Sequence, residues 1–141
     1  MMLILDTNVV SELRKVSAGK GDANVTCWAD SVVVSNLYLS AITIQELEIG
    51  VLLAERRDPV QGAMLRTWLN SNVLPAFTGR ILSVDTAVAL CSAKLNVPNP
   101  QAIRDGLIAA TAIVHGMTVV TRNIGDFAAT GVALLNPWSP T

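Results

Sequence analysis

The chain has 141 residues, a length that suits one domain built on one core. Apolar residues make up 51% and charged residues 15%, which excludes a disordered chain, while no apolar run reaches the length that a membrane span needs. The formal net charge of −1 argues at first against a nucleic-acid partner, but the placement of the charges matters more than their sum.

Met1 to Leu5 is a short apolar run that lacks a basic leader and meets Asp6 at once. It reads as a buried strand and not as a signal peptide, which makes the cytoplasm the expected location. Asn8 to Arg14 has helical spacing, Ser17 to Asn24 is a polar loop with two glycines, and Val25 to Ser35 reads as a helix with Trp28 inward. Leu37 to Ser40 is a second short strand. Thr43 can cap the next helix with Glu46 three residues on, the capping-box spacing, and that helix runs to about Arg57. Asp58 and Pro59 interrupt it, and a second helix continues to about Ser71. Ile81 to Val84 is strand-like, Asp85 caps a helix from Thr86 to Asn96, and a proline-bearing loop follows. Asp105 opens the best helix of the chain, which Gly116 closes. Met117 to Thr121 is a buried strand, Asp126 starts a helical turn, and Val132 to Leu135 is a last strand. Strands that alternate with helices predict an α/β fold with a mainly parallel sheet, in one domain over residues 1–141. Cys27 and Cys91 stand far apart without metal-ligand spacing and read as small buried hydrophobes.

Three carboxylates follow one rule. Asp6 ends the first strand, Asp105 sits at a helix N-terminus, and Asp126 comes five residues after the TVVT strand. In open α/β sheets the loops beyond the carboxyl ends of the strands converge on one crevice. Glu46, one turn into the helix after the second strand, can point to the same edge. Clustered carboxylates repel one another, and a hard divalent cation such as Mg²⁺, or Mn²⁺, supplies the counter-charge and bridges to phosphate. Such an ion lowers the pKa of a bound water and makes a nucleophilic side chain unnecessary, in keeping with a chain that has a single histidine. Each acid also has a structural reading: Asp105, Asp126 and Glu46 can serve as helix caps, whereas Asp6 has no cheap structural reason to close an apolar strand.

As a set, these motifs resemble those of the PIN domain, and within it the VapC or FitB type of toxin from bacterial toxin–antitoxin pairs. LILDTNVVSEL resembles the first motif, with Asp6 and its companions Thr7 and Asn8. LSAITIQELEIG resembles the second, an acid four residues before a glycine, which selects Glu46 over Glu48 because only Glu46 has that spacing to Gly50. DGLIAATAIVHGMTVVTRNIGDF resembles the third and fourth and contributes Asp105 and Asp126, and GVALLNPW resembles the FitB-like ending. The resemblance spans nearly the whole chain. It implies a three-layer α/β/α fold, a metal site of Asp6, Glu46, Asp105 and Asp126, and an Mg²⁺-dependent endoribonuclease. It also implies a small DNA-binding antitoxin as partner and a homodimer as assembly.

With four of the eleven acids drawn into one site, seven remain to face ten lysines and arginines, so an RNA substrate stays compatible with the overall charge. Thr121 and Asn123 flank the acids and can support Asp6 or a metal-bound water, although turn chemistry uses the same residues. Glu12 is either a supporting acid at the crevice or a solvated one. Asp85 reads as a helix cap and His115 as a charge at a helix C-terminus, while Trp28, Trp68 and Trp138 read as core or interface. The rival functions are a DNase or phosphatase using the same metal chemistry and a binding module that has lost catalysis; the presence of all four acids disfavours the second.

Overall fold

Leu3, Ile4 and Leu5 have no face to give to water, and all three are buried in β1 (Leu3–Leu5), the middle strand of a five-stranded sheet. The computed structural model describes residues 1–140. After β1 come α1 (Thr7–Ser17), α2 (Ala23–Ser31), β2 (Leu37–Ser40), α3 (Ala41–Arg57), α4 (Pro59–Trp68), α5 (Leu74–Ala76), β3 (Ile81–Leu82), α6 (Thr86–Leu95), α7 (Ile103–His115), β4 (Thr118–Val120), α8 (Ile124–Phe127) and β5 (Leu134–Leu135). The strand order is β3-β2-β1-β4-β5, and every described pairing is parallel, with Leu3 opposite Leu37 on one side and Thr118 on the other.

Successive side chains of a strand point to opposite faces, and β1 sorts the core accordingly. Leu3 and Leu5 pack with Val9 and Val10 of α1, Val25 and Trp28 of α2, and Leu47 and Val51 of α3. Ile4 packs on the other face with Ile108, Ala109 and Ala112 of α7 and Phe127 of α8. The result is a three-layer α/β/α arrangement in which the strands are covered on both sides, the usual condition of a parallel sheet.

Several boundaries differ from the expected ones. The strands are trimmed to two, three or four residues, and Met1, Met2 and Val84 lie exposed beyond them. α3 begins directly after β2 with Ser40 as its cap, whose Oγ accepts from the Ile42 amide at 3.0 Å. Thr43, expected to cap, is instead fully buried inside the helix. α7 starts at Ile103 with Ala102 as a cap that offers no side-chain bond, and α8 starts at Ile124, so neither Asp105 nor Asp126 opens its helix. α2 ends at Ser31. α4 gives way at Leu69 to a single π turn, Leu69–Val73, which turns Leu69 and Val73 into the core. Cys27 is exposed and Cys91 half-buried, contrary to their reading as buried hydrophobes. Asp85 does cap α6, accepting from the Val88 amide at 2.9 Å, and Gly116 ends α7 in the left-handed conformation at φ 67°.

α3 and α4 form a tight hairpin. Arg66 bonds both oxygens of Glu48 at 2.6 Å and reaches Glu55 at 3.2 Å, which is the structural employment of Glu48. Gly62 is where the two backbones meet: a Cβ there would stand 2.5 Å from the Glu55 Cα. A backbone atom cannot swing aside, so Gly62→Ala must part the helices and should cost about 1–3 kcal/mol in urea unfolding. An unchanged unfolding midpoint would contradict this packing.

Candidate active site

Loops after β1 and β2 lead to one side of the sheet, whereas the chain after β4 leads to the other, so β1 and β4 flank the point where the strand order reverses. Such a point opens a crevice at the carboxyl ends of the strands. Asp6 follows β1 and Thr121 follows β4, and the two meet there: the Thr121 hydroxyl donates to Asp6 Oδ2 at 2.8 Å. Asp6 is only 5% exposed. Its Oδ1 accepts from the Thr7 amide at 2.8 Å, and Asn8 Nδ2 donates to Oδ2 at 3.3 Å. Asp6 is therefore also the N-cap of α1, a structural reason that the sequence reading did not find for it. The Thr121 oxygen in turn accepts from the Asn123 amide at 3.0 Å, and Asn8 Oδ1 accepts from the Arg122 amide at 3.3 Å. The expected supports Thr7, Asn8 and Thr121 thus touch the acids directly. Asn123 takes part through its backbone amide, and its side chain makes no capping bond.

Glu46 arrives from α3 and is half-buried. Its Oε1 accepts from the Thr7 hydroxyl at 2.6 Å, so one residue, Thr7, ties the end of β1 to the second acid. Its Oε2 stands 3.8 Å from Arg104 Nη1. Asp105, half-buried in the first turn of α7, and Asp126, exposed in α8, accept no hydrogen bond among the described residues.

The electrostatics shows that the four acids share one field. Burial raises the Asp6 carboxyl above the ordinary carboxylate range against the pull of its bonds to Thr121 and Thr7, and the charges of Glu46 and Asp126 add to the rise. Asp105 is pushed up to about 6, first by burial and then by the charges of Asp6, Asp126 and Glu46. A cation among them would relieve that repulsion. The available donors are hard oxygens, which suit Mg²⁺ or Mn²⁺ and not softer metals. Among the described residues no three acidic, histidine or cysteine side chains gather closely enough to hold an ion unaided.

Other candidates resolve into structural roles. Glu12 accepts from the Asp22 amide at 2.8 Å, closing the α1–α2 loop, and its other oxygen stands 3.8 Å from Lys15 Nζ. His115 is exposed at the end of α7. Trp28 is in the core, while Trp68 and Trp138 lie half-buried under Arg14 and Arg122 at 5.8 and 5.2 Å. The residue that sequence reasoning missed is Arg104, which carries no motif signal of its own beyond its place beside Asp105. It lines, with Ile42, Gln45, Glu46, Ile103 and Asp105, an open cleft of about 720 Å³.

Comparison with known proteins identifies the family and the fold. The PIN domain family pattern matches residues 3–132. The chain is 40% identical to the toxin FitB of Neisseria gonorrhoeae over 97% of this chain and 99% of that one. It is 39% identical to the VapC ribonuclease Y4jK of Sinorhizobium fredii over 99% of each. Its fold is similar to the solved structure of FitAB bound to an IR36 DNA fragment, with a TM-score of 0.84, 38% identity and coverage of 99% of this chain and 98% of that chain.

The raised Asp105 carboxyl has a stability consequence of definite sign. The folded chain holds this proton up to about pH 6, whereas an unfolded one releases it near 3.8, so metal-free stability falls as pH rises through that window. Asp105→Asn removes the effect. The metal-free variant should therefore gain about 1 kcal/mol over the parent above pH 6, after allowance for solvent screening, and almost nothing at pH 4. Thermal unfolding across pH 4–7.5 reads this directly, and a gain that does not depend on pH would refute it.

Proposed function

This chain belongs to the PIN domain family, and from that premise we propose that it is the toxin of a toxin–antitoxin pair, a divalent-metal-dependent endoribonuclease. The observation that supports the reading is that Asp6 and Glu46 are tied through Thr7 at the sheet's switch point while the charges of Glu46 and Asp126 act on both Asp6 and Asp105. The names of the toxin FitB and of the VapC ribonuclease support it.

Asp6, Glu46, Asp105 and Asp126 would hold Mg²⁺ between them, one or two directly and the others through waters of the ion, with Mn²⁺ as a substitute. When bound, the ion acidifies a water and neutralises charge on the phosphodiester. The chain's own residues prepare the place. Thr121 and Asn8 hold Asp6 by Oδ2, and Thr7 holds Glu46 by Oε1, so these two carboxylates keep fixed directions. Asp105 and Asp126 stay unbonded and are free to adjust to ion and substrate. No imidazole is needed, since His115 stands at the far end of α7 from Asp105.

For partners, the solved FitAB structure with DNA favours a small DNA-binding antitoxin. α3 and α4 expose Leu52, Leu53, Val60 and Met64, an apolar surface open to such a partner or to a homodimer. No described helix is long and apolar enough to cross a membrane. A cytoplasmic site of action is part of the proposal.

RNA cleavage by the purified chain should require Mg²⁺ or Mn²⁺ and stop with EDTA; undiminished cleavage in EDTA would end the metal reading. Asp6→Asn and Asp105→Asn should abolish cleavage with the fold retained, whereas His115→Gln should cost little. Thr121→Val, which removes only a support of Asp6, should lower metal affinity or rate roughly 10- to 100-fold. Expression alone should arrest growth, and co-expression with a small neighbouring protein should relieve it. Normal growth with a chain verified as nuclease-active would count against the toxin role.

A further inference from the structure

Most arginines with defined contacts in this chain are committed to the fold. Arg66 is saturated by Glu48 and Glu55. Arg80 donates to the carbonyls of Val34, Leu37 and Ala76. Arg14 and Arg122 lie over tryptophan rings. Arg104 differs. Among the described residues it makes no hydrogen bond, its side chain is 51% exposed, and its one ion-pair partner, Glu46 Oε2, is 3.8 Å away. An exposed pair at that distance contributes little to stability, and Glu46 already has a better partner in Thr7 at 2.6 Å. Holding Glu46 does not account for Arg104.

Its surroundings point to another task. Arg104 is the one cation in the lining of the 720 Å³ cleft that opens on Glu46 and Asp105. A phosphodiester strand approaching those acids meets repulsion, and a guanidinium on the same rim is the group that offsets it. Five N–H donors in a planar fork match the oxygens of a phosphate, and a loosely held side chain can leave Glu46 to reach one. The wall beside it, formed by Ile42, Ile103 and Leu107, is apolar and can take the face of a base.

We propose that Arg104 is a substrate-binding residue that grips a phosphate of single-stranded RNA in the cleft beside Glu46 and Asp105. The proposal rests on the nuclease reading above for the identity of the substrate. Side-chain exposure and the slack ion pair then describe a resting position. Arg104 can leave this slack pair while Glu46 stays on Thr7, and the RNA phosphate becomes its counter-charge.

The test is equilibrium binding of a fluorescein-labelled single-stranded oligoribonucleotide, followed by anisotropy over a salt series with Ca²⁺ as the cation. The proteins compared are the parent chain, Arg104→Gln and Arg104→Lys. Arg104→Gln should weaken binding about tenfold, the worth of one charge-assisted contact. It should also lower the slope of log affinity against log salt by about 0.7, the value for one phosphate contact on a single strand. Arg104→Lys should keep the slope and lose only part of the affinity. All three should melt together, because no fold contact is removed. Equal affinity and slope in Arg104→Gln would overturn the proposal, and so would a parent chain that does not bind RNA. Tighter Mn²⁺ binding by Arg104→Gln with unchanged RNA binding would make Arg104 a mere counter-charge of Glu46, which also overturns it. Cleavage in Mg²⁺, measured in parallel, separates the two readings. Arg104-dependent RNA binding without any cleavage removes the nuclease assignment alone, and cleavage with an indifferent Arg104 removes this proposal alone.

Discussion

A carboxylate buried at the end of the central strand is costly unless hydrogen bonds compensate it, and much of this molecule is arranged around that requirement at Asp6. The bonds come from both sides of the switch point: from Thr7 and Asn8 where α1 begins, and from Thr121 where β4 ends. Each donor is itself held. Thr7 also bonds Glu46, Asn8 accepts from the Arg122 amide, and Thr121 accepts from the Asn123 amide. Satisfying one buried charge therefore fixes the entry to α1, the exit from β4 and the direction of a side chain on α3. The register of β1 against β4, with Leu5 opposite Val120, is what brings Asp6 and Thr121 level.

The same arrangement divides the acids into two kinds. Asp6 and Glu46 are oriented by short bonds, whereas Asp105 and Asp126 have no hydrogen-bond partner among the described residues, and Asp105 carries the repulsion of the others. Burial and the charges of three neighbouring acids raise the proton affinity of Asp105, which costs the metal-free fold stability at neutral pH. The arginines divide in parallel, with Arg66 and Arg80 spent on the α3–α4 hairpin and the β3 approach and Arg104 kept loose at the cleft.

The mismatches between sequence and structure have physical causes. Thr43 has the capping-box spacing, but Ser40 takes the cap because β2 ends on it and α3 follows without a loop, which carries Thr43 into the interior. Glu12 has helical spacing that permits it to face the crevice, yet an unpaired Asp22 amide in the next loop claims it. The π turn at Leu69 leaves no mark in a periodic pattern, since both Leu69 and Val73 satisfy an ordinary helix as well.

Local chemistry was enough to read the alternation of strands and helices, the capping by Asp85, the stop at Gly116, and the placement of Asp6 at a strand end and Asp105 near a helix N-terminus. Those features depend on residues near one another in the chain, whose steric and hydrogen-bonding preferences act at short range. The strand order, the bond from Thr121 to Asp6 across 115 positions, the bridge from Thr7 to Glu46, and the loose seat of Arg104 were decided only by the tertiary structure. They arise where distant segments are brought together by the burial of both faces of one sheet, and nothing in a local stretch of sequence records which partner will arrive.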